Sequence, residues 1–228
     1  MLDTVNSTNT FAKEKTLTKD YLIVLSEEQT AGRGRQGKTW YSPDSGNIYM
    51  SIKFKGKNIN APLSLLVGLL VSEAMDEVSG KKINAGLKWP NDLLINNKKI
   101  CGILVESEIL ENEIEFIVGI GINYSLPKKE SWWGDIGNLE KVLPREKLIN
   151  AILKRLMLFI ENDYPEWKSE WEKRCIHKDT EISIAHHDQQ KITLGTYTGI
   201  NEEGKILLQT KTGIELVSSG ECSIKGIY

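Results

Sequence analysis

The sequence predicts an α+β protein in which helices pack on a β-sheet, followed by a small all-β unit. Apolar residues recur at the helical spacing i, i+3, i+4, i+7 in two segments, 62–78 and 144–164. Strand-like runs precede and separate these segments, and their short connections favour antiparallel pairing. From residue 177 onwards, short alternating runs are separated by glycines, which is typical of small sandwiches and barrels. We therefore predict two domains, 1–176 and 177–228.

The elements of the first domain follow from periodicity and turn residues. In chain order they are a helix over 10–15, strands over 21–25 and 47–54, a helix over 62–78, strands over 87–95, 100–109 and 114–124, and a helix over 144–164. Gly80 supplies a stop for the second helix. Asn96-Asn97 predicts a tight hairpin turn. Trp167 and Trp171, four residues apart, are expected to continue the apolar face of the last helix.

The small all-β unit is expected to depend on the first domain for stability. Its strands are predicted over 181–185, 192–197, 205–209 and 214–217. A unit of roughly 50 residues is near the lower limit for independent folding, so we expect it to pack against the larger domain. In the polar stretch before the last long helix, Trp132 and Trp133 are expected to pack a loop rather than to bind a ligand.

Composition and charge exclude several classes of protein. The 228 residues suffice for one large domain, or for one domain with a small appendage. A formal net charge of −2 provides no general attraction to nucleic acid or to anionic membranes. The first residues lack a signal-peptide pattern, and no apolar run approaches the ~18 residues of a membrane span. We expect a soluble, cytoplasmic protein.

The cysteines and histidines do not predict a metal site or a nucleophile. The three cysteines are far apart and odd in number, which fits a reducing compartment and predicts no disulfide framework. His177, His186 and His187 lack neighbours at metal-ligand spacing, so we expect them at the surface. Patterns typical of serine hydrolases, Walker-type loops and dinucleotide-binding turns are missing from the sequence. The sequence therefore does not support covalent catalysis by a side chain.

The first candidate binding segment is Gly-Arg-Gly-Arg-Gln-Gly at 32–37, here named the Gly/Arg loop. Glycine allows positive φ and close approach of a ligand to the backbone. Arginine presents forked donors that match carboxylate or phosphate oxygens. Such a loop suits an anionic ligand that must be enclosed after it enters, although a solvated surface loop has the same composition.

The second candidate segment is Lys-Trp-Pro-Asn-Asp at 88–92. Pro90 cannot donate to a strand ladder, so it forces an irregularity beside Lys88, Asn91 and Asp92. Polar side chains held at a break in a strand are a credible site. The alternative is an ordinary edge strand whose Lys88 and Asp92 lie in solvent.

Two further groups of polar residues are candidates for ligand contact. Ser7, Thr8 and Asn9 are good residues for the N-terminus of a helix, and capping is their usual role. They also offer hydroxyl and amide groups to a polar ligand, and capping does not exclude that contact. Gln29, just before the Gly/Arg loop, has no evident local structural role.

In combination, these segments resemble those of biotin protein ligases. The resembling segments are Ser-Thr-Asn at 7–9, Gln-Thr-Ala-Gly-Arg-Gly-Arg-Gln-Gly-Lys-Thr-Trp at 29–40, Ser-Pro at 42–43, Asn-Ile-Tyr-Met-Ser at 47–51, Lys-Trp-Pro-Asn-Asp at 88–92, Lys-Ile-Cys-Gly-Ile-Leu-Val-Glu at 99–106 and Gly-Ile-Gly-Ile-Asn at 119–123. The resemblance covers the whole chain. It implies a catalytic domain built on a mixed β-sheet with packed helices, followed by an SH3-like β-barrel.

The resemblance implies a two-step reaction that uses ATP and Mg²⁺. The carboxylate of biotin attacks the α-phosphate of ATP, which gives biotinyl-5′-adenylate and pyrophosphate. A lysine of a biotin carboxyl carrier protein or domain then displaces AMP. Both steps gather negative charge at phosphate, so positioning and fixed positive charge should dominate catalysis. Mg²⁺ should be bound largely by phosphates and water, and Asp92 is only a weak candidate ligand.

The resemblance also implies roles for individual residues. The implied biotin-binding residues are Ser7, Thr8, Asn9, Gln29, Arg33, Gly34, Arg35 and Lys88. The implied nucleotide-binding residues are Arg33, Gly34, Arg35, Trp40, Lys99 and Asn123. Arg35 and Lys88 are the implied catalytic residues, with Lys88 beside the biotin carboxylate and the α-phosphate. The Gly/Arg loop is expected to close over the adenylate and keep water from it.

Several alternatives differ in class from this interpretation. Many relatives begin with a DNA-binding domain, but here the Ser-Thr-Asn segment begins at residue 7, so we expect a ligase that does not bind DNA. A non-catalytic sensor would not need Lys88 and both loop arginines. An RNA-binding protein would need a basic surface with stacking aromatics, and the tail has only Tyr197 and Tyr228. A lipoate ligase shares the same chemistry, and a homodimer joined at sheet edges remains open.

Overall fold

The main sheet has seven strands and is mixed, as the resemblance implied. A computed structural model describes residues 1–56, 62–110, 113–127, 130–186, 192–218 and 220–224. The strands of the main sheet are β1 (Leu2–Val5), β2 (Tyr21–Gln29), β3 (Ile48–Gly56), β4 (Gly86–Lys88), β5 (Asp92–Ile95), β6 (Lys98–Leu110) and β7 (Glu113–Ile122). They lie in the order β1-β2-β3-β7-β6-β5-β4. β1 is parallel to β2, and the other neighbours pair antiparallel.

Four helices accompany this sheet. They are α1 (Thr8–Glu14), α2 (Leu63–Ser79), α3 (Arg145–Glu161) and α4 (Trp167–Arg174). α2 contacts β4, β5 and β6 as well as α3 and α4, so most of its surface is buried. Gly80 ends α2 with a φ of 63°, a left-handed conformation that costs glycine little. Helices α2 and α3 therefore confirm the interpretation of the two periodic segments.

Strand alternation gives the two faces of the sheet different chemistry. In β3, Ile48, Met50 and Ile52 point into the main core, whose members also come from α2 and α3. The alternate residues Ser51 and Lys53 face the other side, where Ser51 bonds to side chains of α1 and Lys53 to the carbonyl of Lys15 just after that helix. The α2/α3 face is therefore apolar, and the α1 face has room for polar groups.

The C-terminal part forms a second sheet of five antiparallel strands. These are β8 (Glu181–Ala185), β9 (Ile192–Ile200), β10 (Ile206–Thr210), β11 (Gly213–Val217) and β12 (Glu221–Ile224), in the order β11-β10-β9-β8-β12. The all-β prediction is confirmed. Pairing over the residues described here runs as an open row, without a β11–β12 pair that would close a barrel.

The second sheet packs against the first part of the chain, as its size predicted. The indole N–H of Trp89 donates to the carbonyl of Gly204 at 2.9 Å. The N–H of Ile200 donates to Glu172 Oε1 on α4, also at 2.9 Å. Both bonds join the second sheet to residues around the β4–β5 hairpin and α4, which fixes their relative position.

Some predicted elements differ from the structure. The single strand over 87–95 is wrong: β4 and β5 are separate strands joined by a turn at residues 89–91, because Pro90 cannot continue a ladder. Trp167 and Trp171 lie on the separate helix α4, although both are buried as expected. The short β1 and β12 were missed. Among the helices described, none is long and apolar enough to cross a membrane.

Candidate functional site

A cavity of about 400 Å³ lies on the α1 face of the main sheet. It is bounded by α1, the Gly/Arg loop, the β4–β5 turn and strands β6 and β7. The predicted site residues that line it are Ser7, Thr8, Asn9, Gln29, Arg33, Gly34, Arg35, Trp40, Lys88, Lys99 and Asn123, together with Asp92. The structure thus brings together residues that are widely separated in sequence, while their individual roles remain predictions.

One corner of the cavity is a network of short polar side chains. Gln29 Oε1 accepts from the backbone N–H of Thr8 at 2.8 Å and from its hydroxyl at 3.1 Å. The Ser51 hydroxyl lies 2.8 Å from Thr8 Oγ1 and donates to Asn9 Oδ1 at 2.6 Å. A side chain on Gly119 would overlap Asn9, so glycine there leaves space for this amide. Ser51 was not singled out as a site residue, since only its strand position places it here.

The helix-capping alternative for Ser7 is wrong. Ser7 occupies the N-cap position of α1 with an extended backbone, but its side chain makes no capping hydrogen bond. It is buried and lines the cavity instead. Its hydroxyl is therefore placed at the cavity wall, as ligand contact would require.

The Gly/Arg loop folds into a tight hairpin. Arg33 and Thr39 form an antiparallel bridge, and the N–H of Gly34 donates to Lys38 O at 2.6 Å. Gln36 adopts a left-handed conformation with a φ of 54°, which the tight turn requires. Arg35 Nη1 donates to Asn91 Oδ1 at 3.1 Å, which connects the loop to the β4–β5 turn.

Gly102 and Gly121 leave a flat surface on the sheet, here called the Trp40 shelf, against which the Trp40 ring packs. Gly102 on β6 and Gly121 on β7 are direct partners across the ladder. A Cβ on Gly102 or Gly121 would lie 2.7 or 2.6 Å from the Trp40 ring, so only glycine allows the indole to lie so close. Lys99 Nζ is 5.2 Å from the ring centroid, within cation–π range, and 2.7 Å from Asp92 Oδ1.

Additional aromatic residues line the cavity beyond those predicted. Trp132 and Trp133 lie edge to face with ring centroids 5.5 Å apart, and Trp133 stacks on Tyr41 at 5.9 Å. The N–H of Lys99 donates to Trp132 O at 3.0 Å, which holds the loop against β6. The packing role predicted for this pair is therefore present, and both rings also face the cavity. Because Trp132 and Trp133 stand in a polar stretch of sequence, nothing in the sequence predicted that they would line the cavity.

The β4–β5 turn begins at two buried residues, Lys88 and Trp89, and is held from behind by His177. Lys88 is only 5% exposed. The backbone N–H of the next residue, Trp89, donates to His177 Nε2 at 2.9 Å. The surface position predicted for His177 is wrong, because the residue is fully buried. Its burial and the nearby charge of Lys88 lower the pKa of His177 to about 3. His186 is half-buried, and His187 lies outside the described residues.

The charges lining the cavity favour an anionic ligand. The lining residues include five basic side chains, at 33, 35, 38, 88 and 99, but Asp92 is the sole carboxylate that lines this cavity in the described part of the chain. Low-dielectric walls strengthen such a field. Cys222 also lines the cavity, but burial raises the pKa of its thiol to about 12, so it is not a nucleophile at neutral pH.

The site is not preformed for a metal ion. Over the described ranges, no group of three His, Cys, Asp or Glu side chains is arranged to hold one. Asp92 is ion-paired with Lys99, and a single carboxylate fits an ion that keeps most of its ligands from phosphate and water. The residues present are compatible with Mg²⁺ that enters together with a nucleotide.

A mixed sheet with a cationic cavity, lined in part by the Gly/Arg loop, is the kind of site that suits an anionic small molecule. The chain belongs to the biotin/lipoate A/B protein ligase family, whose sequence profile matches residues 1–123. The profile of the biotin protein ligase C-terminal domain matches residues 182–225.

Individual relatives agree with this assignment. A solved biotin protein ligase from Aquifex aeolicus, in complex with biotin and ATP, is 30% identical, with a TM-score of 0.75 and coverage of 97% of this chain and 96% of that one. A Leishmania major ligase with biotinyl-5-AMP is 26% identical, with a TM-score of 0.64 and coverage of 96% and 97%. The Escherichia coli bifunctional ligase/repressor BirA is 28% identical over 99% of this chain and 73% of its own length.

Proposed function

We propose that this protein is an ATP-dependent biotin ligase that forms biotinyl-5′-adenylate and transfers biotin to a lysine of a carboxylase's biotin carboxyl carrier domain. The observation that carries the proposal is the convergence of every predicted site residue on one cavity with five basic side chains and one carboxylate. Family membership and the Aquifex aeolicus ligase, which binds biotin and ATP, support it.

The polar corner suits the ureido ring of biotin. Thr8, Asn9 and Gln29 offer donors and acceptors to the cavity, and hydrogen bonds with one another and with the buried Ser51 already set their positions. A rigid ring with two N–H donors and a strong carbonyl acceptor pairs well with such fixed groups. Ser7 completes this corner at the N-terminus of α1. We assign biotin to this end of the cavity.

The opposite end suits the nucleotide. The Trp40 ring on its glycine shelf offers an aromatic face to a base. Lys99 lies beside the ring, and the Asn123 amide is held by a 3.0 Å bond from Nδ2 to Gly134 O. We assign the nucleotide to this end, with Arg33, Gly34, Arg35 and Lys88 around the phosphates and the biotin carboxylate.

In the first step, a biotin carboxylate oxygen forms a bond to the α-phosphorus of ATP, and the bond to pyrophosphate breaks. Lys88 and Arg35 stabilise the charge that develops on the phosphoryl oxygens. Because Lys88 is buried, its charge acts in a medium of low dielectric. Mg²⁺ bound to the phosphates supplies further charge neutralisation when present.

In the second step, the acceptor lysine amine forms a bond to the biotinyl carbonyl carbon, the bond to AMP breaks, and the amine loses a proton. Until that amine arrives, the mixed anhydride must be kept from water. The Gly/Arg loop covers the cavity and is bonded to the β4–β5 turn through Arg35 and Asn91, so it can enclose the intermediate.

Two organisational proposals accompany this function. Residues 1–176 form the catalytic domain, and 177–228 form a C-terminal domain that supports the β4–β5 turn through His177 and Gly204. β1 lies at an edge of the main sheet, and we propose that two copies of the sheet join along this edge in a homodimer. Sedimentation velocity measures whether a dimer forms.

The test is biotin-dependent release of pyrophosphate from ATP and Mg²⁺, with lipoate in a parallel reaction. Release with biotin alone is expected, followed by biotin transfer to an isolated carrier domain. Release only with lipoate would keep the mechanism and change the substrate. Biotin binding without any release would identify a sensor and overturn the proposal.

A further inference from the structure

Glu106, a carboxylate outside the cavity lining, contacts both the Gly/Arg loop and the polar corner. It lies on β6, on the α1 face of the sheet. Its Oε1 accepts from Arg33 Nη2 at 2.8 Å, and its Oε2 accepts from Arg33 Nη1 at 3.0 Å. The same Oε2 accepts from Asn9 Nδ2 at 2.9 Å. One side chain therefore bonds to residues that approach the cavity from two sides.

We propose that Glu106 is a positioning residue that couples closure of the Gly/Arg loop to the state of the biotin corner. This inference rests on the proposed function, because it assigns the corner to biotin and the loop to retention of the adenylate. It also gives Arg33 a second role, because its guanidinium orders the loop through Glu106 in addition to lining the cavity.

The first step of the argument is that Glu106 sets the orientation of the Asn9 amide. Asn9 Oδ1 accepts from Ser51, while Nδ2 donates to Glu106 and, at 3.4 Å, to Leu104 O. A carboxylate only accepts, so it determines that the NH₂ group of Asn9 points toward β6. A ligand that contacts Asn9 therefore meets an amide whose orientation depends on Glu106.

The second step is that the contact between Arg33 and Glu106 fixes the position of the loop but adds little to the stability of the protein. Two parallel N–H···O bonds fix the guanidinium in a plane. The Arg33 and Glu106 side chains are 44% and 22% exposed, so solvent screens their charges and the pair adds little to global stability. Its main effect is to hold the loop against the sheet.

The third step is that the two contacts share one oxygen. Any movement of Glu106 toward Asn9 or away from it changes the distance to Arg33. A ligand that contacts Asn9 and stabilises this arrangement of its amide will therefore favour the closed loop, and by linkage the closed loop will favour that ligand.

The chain offers a close control for this arrangement. Glu108 lies two residues further along β6 and forms a 3.1 Å ion pair with Lys13, with side chains 28% and 48% exposed. It shares the strand and the type of contact, but its ion pair is with Lys13 and not with Asn9 or the Gly/Arg loop. Glu108→Gln should therefore leave biotin affinity and adenylate retention within about twofold of wild type.

The experiment compares Glu106→Gln, Arg33→Met and Glu108→Gln in the full chain. We expect Glu106→Gln to raise the dissociation rate of biotinyl-adenylate about tenfold and to weaken biotin binding without ATP, with the melting temperature close to that of Glu108→Gln. Arg33→Met should raise the dissociation rate similarly. The variant that carries both Glu106→Gln and Arg33→Met should lose the adenylate no faster than the faster of the two single variants, because both substitutions remove the same Arg33–Glu106 interaction.

Backbone hydrogen exchange at residues 33–40 provides a readout that does not require catalysis. Faster exchange in Glu106→Gln than in Glu108→Gln is expected in the ligand-free protein. The inference is wrong if wild type forms the adenylate and Glu106→Gln shows the wild-type rate of adenylate dissociation together with the wild-type rate of hydrogen exchange at residues 33–40. Additive effects of the two substitutions would also overturn it. Failure of wild type to release pyrophosphate would instead reject the proposed function.

Discussion

The Gly/Arg loop and the β4–β5 turn face the same cavity, but the fold holds them very differently. The Arg33 side chain is 44% exposed, whereas Lys88 as a residue is only 5% exposed. The loop is a self-contained hairpin, attached to the sheet through Glu106 and to the turn through Asn91. The turn is packed from behind by the second sheet.

This difference separates two requirements of a reaction with a reactive intermediate. A cover must open for substrates, so it should have few buried contacts and low local stability. The groups that stabilise developing charge must not move, since small displacements weaken their effect. The second sheet therefore contributes to the site by holding Trp89, next to Lys88, through His177 and Gly204.

Substitution of Lys88 should have the largest effect, because it removes a fixed charge from the rigid side. Lys88→Ala is expected to reduce biotin-dependent pyrophosphate release about 100- to 1,000-fold, with an unchanged circular dichroism spectrum. The exposed Lys82 provides the control, and Lys82→Ala should behave as wild type. Normal release by Lys88→Ala would remove this residue from the mechanism.

Substitution of Arg35, on the loop side, should affect retention of the intermediate in addition to its formation. Arg35→Ala removes a charged donor that bonds to Asn91, and the adenylate is expected to dissociate about 10- to 100-fold faster. Released adenylate should then label nearby lysines without selectivity, which mass spectrometry of an added bystander protein detects. A variant that holds the adenylate as tightly as wild type would contradict the role of the loop as a cover.

Between the two sides, the Trp40 shelf should respond to a single methyl group. Gly121→Ala places a Cβ 2.6 Å from the indole, which forces the ring away and should raise the KM for ATP about tenfold. Gly68→Ala is the matched control, because its Cβ would have its nearest contact at 3.7 Å. An unchanged KM for ATP in Gly121→Ala would argue against nucleotide binding on this shelf.

Substitution of His177 should have the smallest effect on the reaction. Its main effect should be on the stability of the fold. The folded-state pKa of His177, about 3, lies below the ordinary 6.5, so the unfolded chain binds a proton first as the pH falls. The contribution of His177 to stability is therefore present above pH 6.5 and is lost as the pH falls toward 3, by up to about 1.4 kcal/mol per pH unit. Urea unfolding at pH 6.5, 5.5 and 4.5 should show this slope, and His177→Gln should reduce it. An equal slope in both proteins would contradict the assignment.

Much of the fold and site followed from local patterns. The apolar spacing in 62–78 predicted α2 to within a residue at each end. The helical repeat of apolar residues is a property of the local sequence and can be recognised without knowledge of the tertiary structure. The turn at Asn96-Asn97 was also predicted correctly, and both residues have positive φ. The segments 32–37 and 88–92 were singled out because glycines, arginines and a proline in short segments are poor core material, and the roles of individual residues came from the family resemblance.

Other residues around the site were not assigned a role from the sequence. Ser51 and Glu106 end two of the segments that resemble the family, but neither was singled out, and His177 was expected at the surface. Ser51 belongs to the site because strand alternation turns it toward α1, and Glu106 because β6 passes beneath the loop. His177 is buried because the second sheet folds back against the β4–β5 turn.

The amino-acid order alone therefore determined the chemical groups of the cavity and the segments that hold them, since side-chain chemistry and local periodicity are properties of short stretches. The tertiary structure decided which of those groups are fixed and which can move. That distinction depends on burial and on contacts between residues far apart in the chain, as between Trp89 and His177 or between Arg33 and Glu106.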